Sequence, residues 1–215
     1  MLFSMLANLA EDRQGIAADE GAEMEAALEQ LLPGMLGGAE FEIIRFRCKD
    51  DLLKQAPKRL KGFAAYLPEN WRILVLVDRD DDDCHELKAR LEAMAASAGL
   101  LSRSRCGPGQ PFQVANRIAI EELEAWFFGD WEAVCAAYPR VSASQCQKAG
   151  LRDPDAIKGG TWEAMERVMQ GAGYFGGGLP KIELARSVAA HMVVERNRSA
   201  SFRAFADAVA AARDS

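Results

Sequence analysis

The sequence predicts an α/β protein, with a mostly parallel sheet flanked by helices and a helical C-terminal extension. Three observations predict it. First, Ile73-Leu74-Val75-Leu76-Val77 is an unbroken apolar run between Arg72 and Asp78, as expected of a strand buried on both faces. Second, strand-like and helix-like segments alternate through the first 120 residues, which implies parallel strands joined by right-handed helical crossovers. Third, strand signals stop near Glu121, and helices and loops follow without a flexible linker. Residues 1–120 are therefore expected to form the α/β core. Residues 121–215 are expected as an extension packed on the sheet edge and over its active end.

Taken in order, residues 1–14 run from apolar to polar and read as a short helix, and Gly15 to Asp19 as a weak first strand. Met24 to Met35 has helical spacing, with Met24, Leu28, Leu31 and Leu32 on one face and Gly37-Gly38 as its stop. Phe41 to Phe46 reads as a strand. Asp50 to Leu67 reads as a basic amphipathic helix kinked or broken at Pro57. The 72–77 strand, an 84–98 helix and a 112–120 strand complete the core. Beyond it, Glu121 to Tyr138 is helical with a break near Gly129-Asp130, and Pro139 to Gly160 is rich in turns. Thr161 to Gln170, Lys181 to Met192 and Ser201 to Ala212 read as helices, with a glycine-rich loop over 171–180.

Composition narrows the function. The 215 residues carry a net charge of −6, which argues against nucleic-acid binding by bulk charge. Lys54, Lys58, Arg59 and Lys61 form a local exception, either a basic groove or a solvated helix face. The 5 cysteines are odd in number with no CxxC pair, and His85 and His191 are the only histidines. That leaves little material for zinc and suits reduced thiols in the cytoplasm. No apolar stretch reaches the roughly eighteen residues of a membrane span, and the N-terminus lacks the basic region of a signal peptide.

Chemistry concentrates after the 72–77 strand, where Asp78, Asp80, Asp81, Asp82 and Asp83 crowd together. Ligands in open α/β sheets gather beyond the carboxyl ends of strands, and oxygen-only donors favour Mg²⁺ or Mn²⁺. Asp78, Asp80 and Asp82 are the candidate metal ligands. Against this stands capping of the following helix, which accounts for one or two of the aspartates but poorly for Asp78. Glu20, beside Gly21, and Glu121 and Glu124, three apart at a helix start, are the candidate catalytic carboxylates; favourable first-turn acids are the alternative. Trp126, Phe127, Phe128 and Trp131 read as core. Gly176-Gly177-Gly178-Leu179-Pro180-Lys181 opens a helix and is either a plain flexible turn or, though not a Walker A motif, a loop that holds phosphate through backbone N–H groups and Lys181. Arg196 and Arg198 are further phosphate candidates, next to Ser199 and Ser201 as helix caps.

A strand ending in Asp78-Arg79-Asp80, with Glu20-Gly21 upstream, resembles the Toprim domain of topoisomerases, primases and overcoming-lysogenization-defect nucleases. Across residues 16–205 the chain is more similar still to the Toprim-like bacterial family known as domain of unknown function 4276. That resemblance rests on Met24-Glu25-Ala26-Ala27-Leu28 with Leu31-Leu32-Pro33, Val75 to Asp80, Arg117 to Trp126, Gly159-Gly160-Thr161-Trp162-Glu163, and Leu179-Pro180-Lys181. It implies Glu20 as acid/base or metal ligand and Asp78 and Asp80 as holders of Mg²⁺. It implies a nuclease or related phosphoryl-transfer protein in bacterial anti-phage defence, with a nucleic-acid substrate and a partner ATPase, and it allows a homodimer. The alternative is a non-catalytic Toprim-like module that docks on an ATPase. One departure is visible: the stretch before Glu20, Gln14 to Asp19, is short and poor in β-branched residues.

Overall fold

The computed structural model describes residues 2–8, 20–79, 82–107, 109–120 and 122–214. Four parallel strands, β1 (Leu2–Asn8), β2 (Glu40–Arg45), β3 (Arg72–Asp78) and β4 (Val114–Ala119), form one sheet in the order β2-β1-β3-β4. In register, Met5 faces Ile43 on one side and Leu74 on the other, and Val75 faces Asn116. The first strand is thus Leu2–Asn8, where the sequence suggested a helix. The stretch expected as the first strand lies outside the described residues. Leu, Met and Ala in a seven-residue run are good helix formers, but a strand between two parallel partners needs only continuous apolar character. Local propensity yields there to pairing with β2 and β3.

Both faces of β3 are covered, and its residues alternate between two cores. Ile73, Val75 and Val77 pack with Leu52, Leu53, Ala56 and Leu60 of α2 (Lys49–Tyr66) and with Leu87, Leu91 and Ala95 of α3 (Cys84–Ser97). Leu74 and Leu76 join the larger core with Met24, Ala27, Leu28, Leu31 and Leu32 of α1 (Glu20–Leu36). That core continues into α4 (Glu124–Gly129), α5 (Trp131–Ala137), α6 (Thr161–Gly171), α7 (Lys181–Ala189) and α8 (Ala200–Asp214). Trp126 is fully buried, stacked on Phe205 at 5.0 Å and edge-on to Phe202 at 5.2 Å. The C-terminal helices therefore share their core with α1 and the sheet. Truncating one of these large side chains to alanine should cost roughly 3–5 kcal/mol.

Helix limits follow local chemistry. Gly37 and Gly38, at φ 61° and 89°, end α1 in the left-handed region. α2 runs through Pro57 without a break, giving up one helical N–H bond. The expected interruption at Gly129-Asp130 is present between α4 and α5. Gly129 is required there, because a Cβ would lie 2.1 Å from Asn197 Oδ1. Among the described residues no helix is long and apolar enough to cross a membrane.

Candidate functional site

Asp78 ends β3 and is only 4% exposed. Side chains alternate along a strand, so Asp78 follows Leu74 and Leu76 onto the face covered by α1 and the C-terminal helices. It pairs in register with Ala119 of β4, and the next residue's N–H donates to Ala119 O at 2.9 Å. The segment leading to Glu124 leaves β4 at this same carboxyl edge.

The other aspartates of the run part company with it. Asp80 and Asp81 lie outside the described residues. Asp82 Oδ2 is 2.7 Å from Lys49 Nζ, and Lys49 also donates to Arg79 O at 3.2 Å. Asp82 is thereby drawn to the head of α2, which covers the opposite sheet face. Asp83 caps α3: its Oδ1 accepts from His85 N at 2.8 Å and Glu86 N at 3.0 Å. Those two backbone bonds hold its carboxyl below the usual range.

A second group of charges forms where α1, α4, α6 and α7 begin. Glu124, at the head of α4, is 1% exposed, and its Oε2 has no hydrogen-bond partner. Burial pushes its carboxyl up to about 7; Lys181 opposes the rise, while Glu122 and Glu163 add to it. Lys181, the first residue of α7, lies 3.7 Å from Glu23 Oε1 on α1 and 5.1 Å over the Trp162 ring. Glu122 is fixed differently. Its Oε2 accepts from Thr161 N at 3.1 Å, Thr161 Oγ1 at 2.8 Å and Trp162 N at 3.0 Å, and so caps α6 from outside. Gly160, at φ 85°, makes room for Glu163 to fold back, since a Cβ there would lie 1.7 Å from Glu163 Oε2. Trp162 and Lys181 are thus set by two helix starts.

The remaining candidates fall elsewhere. Glu20 opens α1, but its side chain lies outside the described residues, as does Glu121 entirely. Arg196 binds Asp130 through Nε at 2.5 Å and Nη2 at 3.0 Å, and Glu132 through Nη1 at 3.0 Å. Asp130, 1% exposed, also accepts from Val193 N at 2.8 Å. Arg196 is therefore a tie between α5 and the segment after α7. Arg198 is exposed, and its backbone N–H donates to Gly129 O at 2.9 Å. Both arginines lie past the C-terminal end of α7, and Lys181 is at its N-terminal end. Ser199 Oγ accepts from Phe202 N at 3.1 Å and caps α8, while Asp155 binds both Ser199 and Ser201. Trp126, Phe127 and Phe128 are fully buried, so none offers a stacking surface.

Glu23 was missed in the sequence. The available signal was an acid in line with Ala27 and Leu31 at i, i+4 and i+8, on a stripe that proves buried. Among the described residues, no three histidine, cysteine, aspartate or glutamate side chains are grouped to hold a metal ion.

A family model described as a domain of unknown function (DUF4276) matches residues 20–210. No curated protein and no solved structure matches the chain.

Proposed function

The chain belongs to the DUF4276 family, and we propose that it is a metal-dependent phosphoryl-transfer enzyme, a nuclease of the Toprim kind, working at the carboxyl edge of its sheet. The observation that carries this reading is Asp78. It is a buried carboxylate closing a strand buried along its whole length, on the sheet face packed by α1, α4 and α7. Burying a carboxylate is costly in desolvation, so its place at the end of this strand calls for a reason. Buried carboxylates beyond a central strand commonly serve a site.

The donors present suit Mg²⁺ or Mn²⁺. They are carboxylate oxygens, and Glu124 Oε2 is without a hydrogen-bond partner. In this reading Asp78 and Asp80 hold the ion with Glu20 or Glu121, and the ion supplies Lewis-acid polarisation of a phosphodiester. The protein's own groups do the rest. Lys181, kept extended between Glu23 and the Trp162 ring, brings a fixed positive charge to a phosphate oxygen. Glu124, poised near neutrality, holds or yields a proton at Oε2. Asp82, Arg196 and Arg198 have no part in it. The net charge of −6 gives little unaided pull on nucleic acid. A partner ATPase in a cytoplasmic anti-phage system would deliver the substrate.

One observation favours the rival reading, a non-catalytic module docking on that ATPase: Asp82 and Asp83 serve α2 and α3, not Asp78. Cleavage decides between the two. Purified protein with Mg²⁺ or Mn²⁺, alone and with the neighbouring ATPase and nucleotide, is incubated with single- and double-stranded DNA and RNA. The enzyme reading expects metal-dependent cleavage that Asp78→Ala removes. If the reconstituted pair cuts nothing and Asp78→Ala leaves its biological effect intact, the module reading wins.

A further inference from the structure

The outer face of α2 carries a charge pattern that the site at the sheet edge does not use. Lys54, Lys58 and Lys61 fall at i, i+4 and i+7, on one face of the helix, and all three are exposed. None of them makes an ion pair among the described residues. Arg59, also exposed, lies beside this stripe with its guanidinium 5.1 Å over the Phe46 ring. No acid occurs between Asp51 and Glu69, although acids outnumber bases, 32 to 26, in the chain as a whole. The helix dipole does not account for the lysines, because the last turn of α2 holds no basic residue. At the end of the same helix stands Tyr66, 68% exposed and the most open large apolar side chain among the described residues, with Phe63 behind it at 5.8 Å between ring centres.

We propose that the outer face of α2 is a docking surface for a nucleic-acid strand, with Lys54, Lys58 and Lys61 on phosphates of one backbone and Tyr66 stacking a base. The dimensions fit. Seven residues of helix rise about 10.5 Å, and a strand in duplex form carries a charge about every 3.4 Å, so the three lysines span about three phosphate intervals. An exposed ring near a row of cations can serve as a platform for unpaired bases. The placement also makes sense. Lys49, at the head of α2, is tied to Asp82 and Arg79 O in the loop after β3. A strand lying along the stripe therefore has one end at the carboxyl edge of the sheet. Docking of this kind does not depend on whether the chain cuts what it holds.

The test measures binding without cleavage. Fluorescence anisotropy of a labelled single-stranded oligonucleotide of about thirty nucleotides is followed against the full chain in EDTA, across a salt series. The stripe variant Lys54→Glu/Lys58→Glu/Lys61→Glu is compared with a variant of equal charge change at other exposed positions, Lys148→Glu/Lys158→Glu/Arg167→Glu. The stripe variant should bind at least tenfold more weakly than the control variant at low salt. Its slope of log K against log salt should be smaller by about 2, at roughly 0.7 for each phosphate that is no longer neutralised. Tyr66→Ala should weaken single-strand binding about tenfold and duplex binding little. Equal losses in the two charge variants would assign the effect to bulk charge and overturn the proposal. So would wild-type protein that ignores oligonucleotides, or that prefers acidic peptides or anionic vesicles. If binding behaves as expected while no condition yields cleavage, the docking surface stands and the nuclease reading alone fails.

Discussion

Lys181 Nζ stands 3.7 Å from Glu23 Oε1, joining the starts of two helices that are 158 positions apart in the chain and packed against each other in one core. A lysine with a quarter of its side chain exposed is thus backed by a buried glutamate and lies over a tryptophan ring. Glu124 feels the same charge, through a carboxyl group that burial has pushed to about 7. The group as a whole holds more carboxylates than cations, and that imbalance can be measured.

The first prediction concerns pH. The folded-state pKa of Glu124 is raised to about 7, above its ordinary value near 4.3. The native state therefore binds more protons than the unfolded chain between these values, and stability falls as pH rises through that window. The loss is complete above about pH 7 and is on the order of 3 kcal/mol. Glu124→Gln should remove the slope. Urea denaturation at pH 5 and pH 8 should show wild type losing more stability than the variant. Parallel curves for the two proteins would mean that Glu124 does not titrate there.

A second prediction separates scaffold from site. Arg196 neutralises Asp130, whose side chain is fully buried, so Arg196→Ala leaves a buried charge uncompensated. Loss of about 3 kcal/mol is expected. Lysine should restore only part of it, lacking the bidentate fork. Oligonucleotide affinity of the folded Arg196→Ala protein should match wild type. A change in affinity without a change in melting temperature would return Arg196 to the binding candidates.

Gly160 offers a third. Its φ of 85° and the close approach of Glu163 Oε2 both exclude a side chain. Gly160→Ala should cost about 1–3 kcal/mol from the left-handed backbone alone, and more from displacing Glu163. Because Glu122 holds the same turn through Thr161 and Trp162, the Trp162 ring should shift. Its fluorescence should report that shift in the folded variant. An unchanged spectrum and stability would show that the turn relaxes freely.

These features differ in how far the sequence announced them. β3 and Asp78 were legible because burial on both faces leaves a continuous apolar run that only a charge can end. The alternation of strands and helices was legible for the same reason, and so was the break at Gly129. β1 was not, since Leu2–Asn8 has a composition that a helix would share and its partner strands lie far along the chain. Glu23 was hidden because an acid in a helix is ordinarily solvated, and only the packing of α7 buries it. The partners of Asp82 and Arg196, Lys49 and Asp130, lie 33 and 66 positions off. No local pattern encodes such pairs.

The last prediction turns on two aspartates four residues apart. Asp78 is buried on the face of α1, and Asp82 is half exposed and paired with Lys49. If Asp78 holds a divalent ion, Mg²⁺ or Mn²⁺ should raise the melting temperature of the wild-type protein. Occupancy at about a hundred times Kd corresponds to about 2.7 kcal/mol. Asp78→Asn keeps the shape of the side chain and removes its charge, so most of that gain should vanish. Asp82→Asn breaks only a solvent-screened pair, worth about 1 kcal/mol or less, and should leave the metal-induced shift whole. Differential scanning calorimetry of the three proteins with EDTA and with each metal decides the matter. Equal shifts in wild type and Asp78→Asn would remove Asp78 from the metal site. A shift lost in Asp82→Asn but kept in Asp78→Asn would move the site to the α2 side of the sheet.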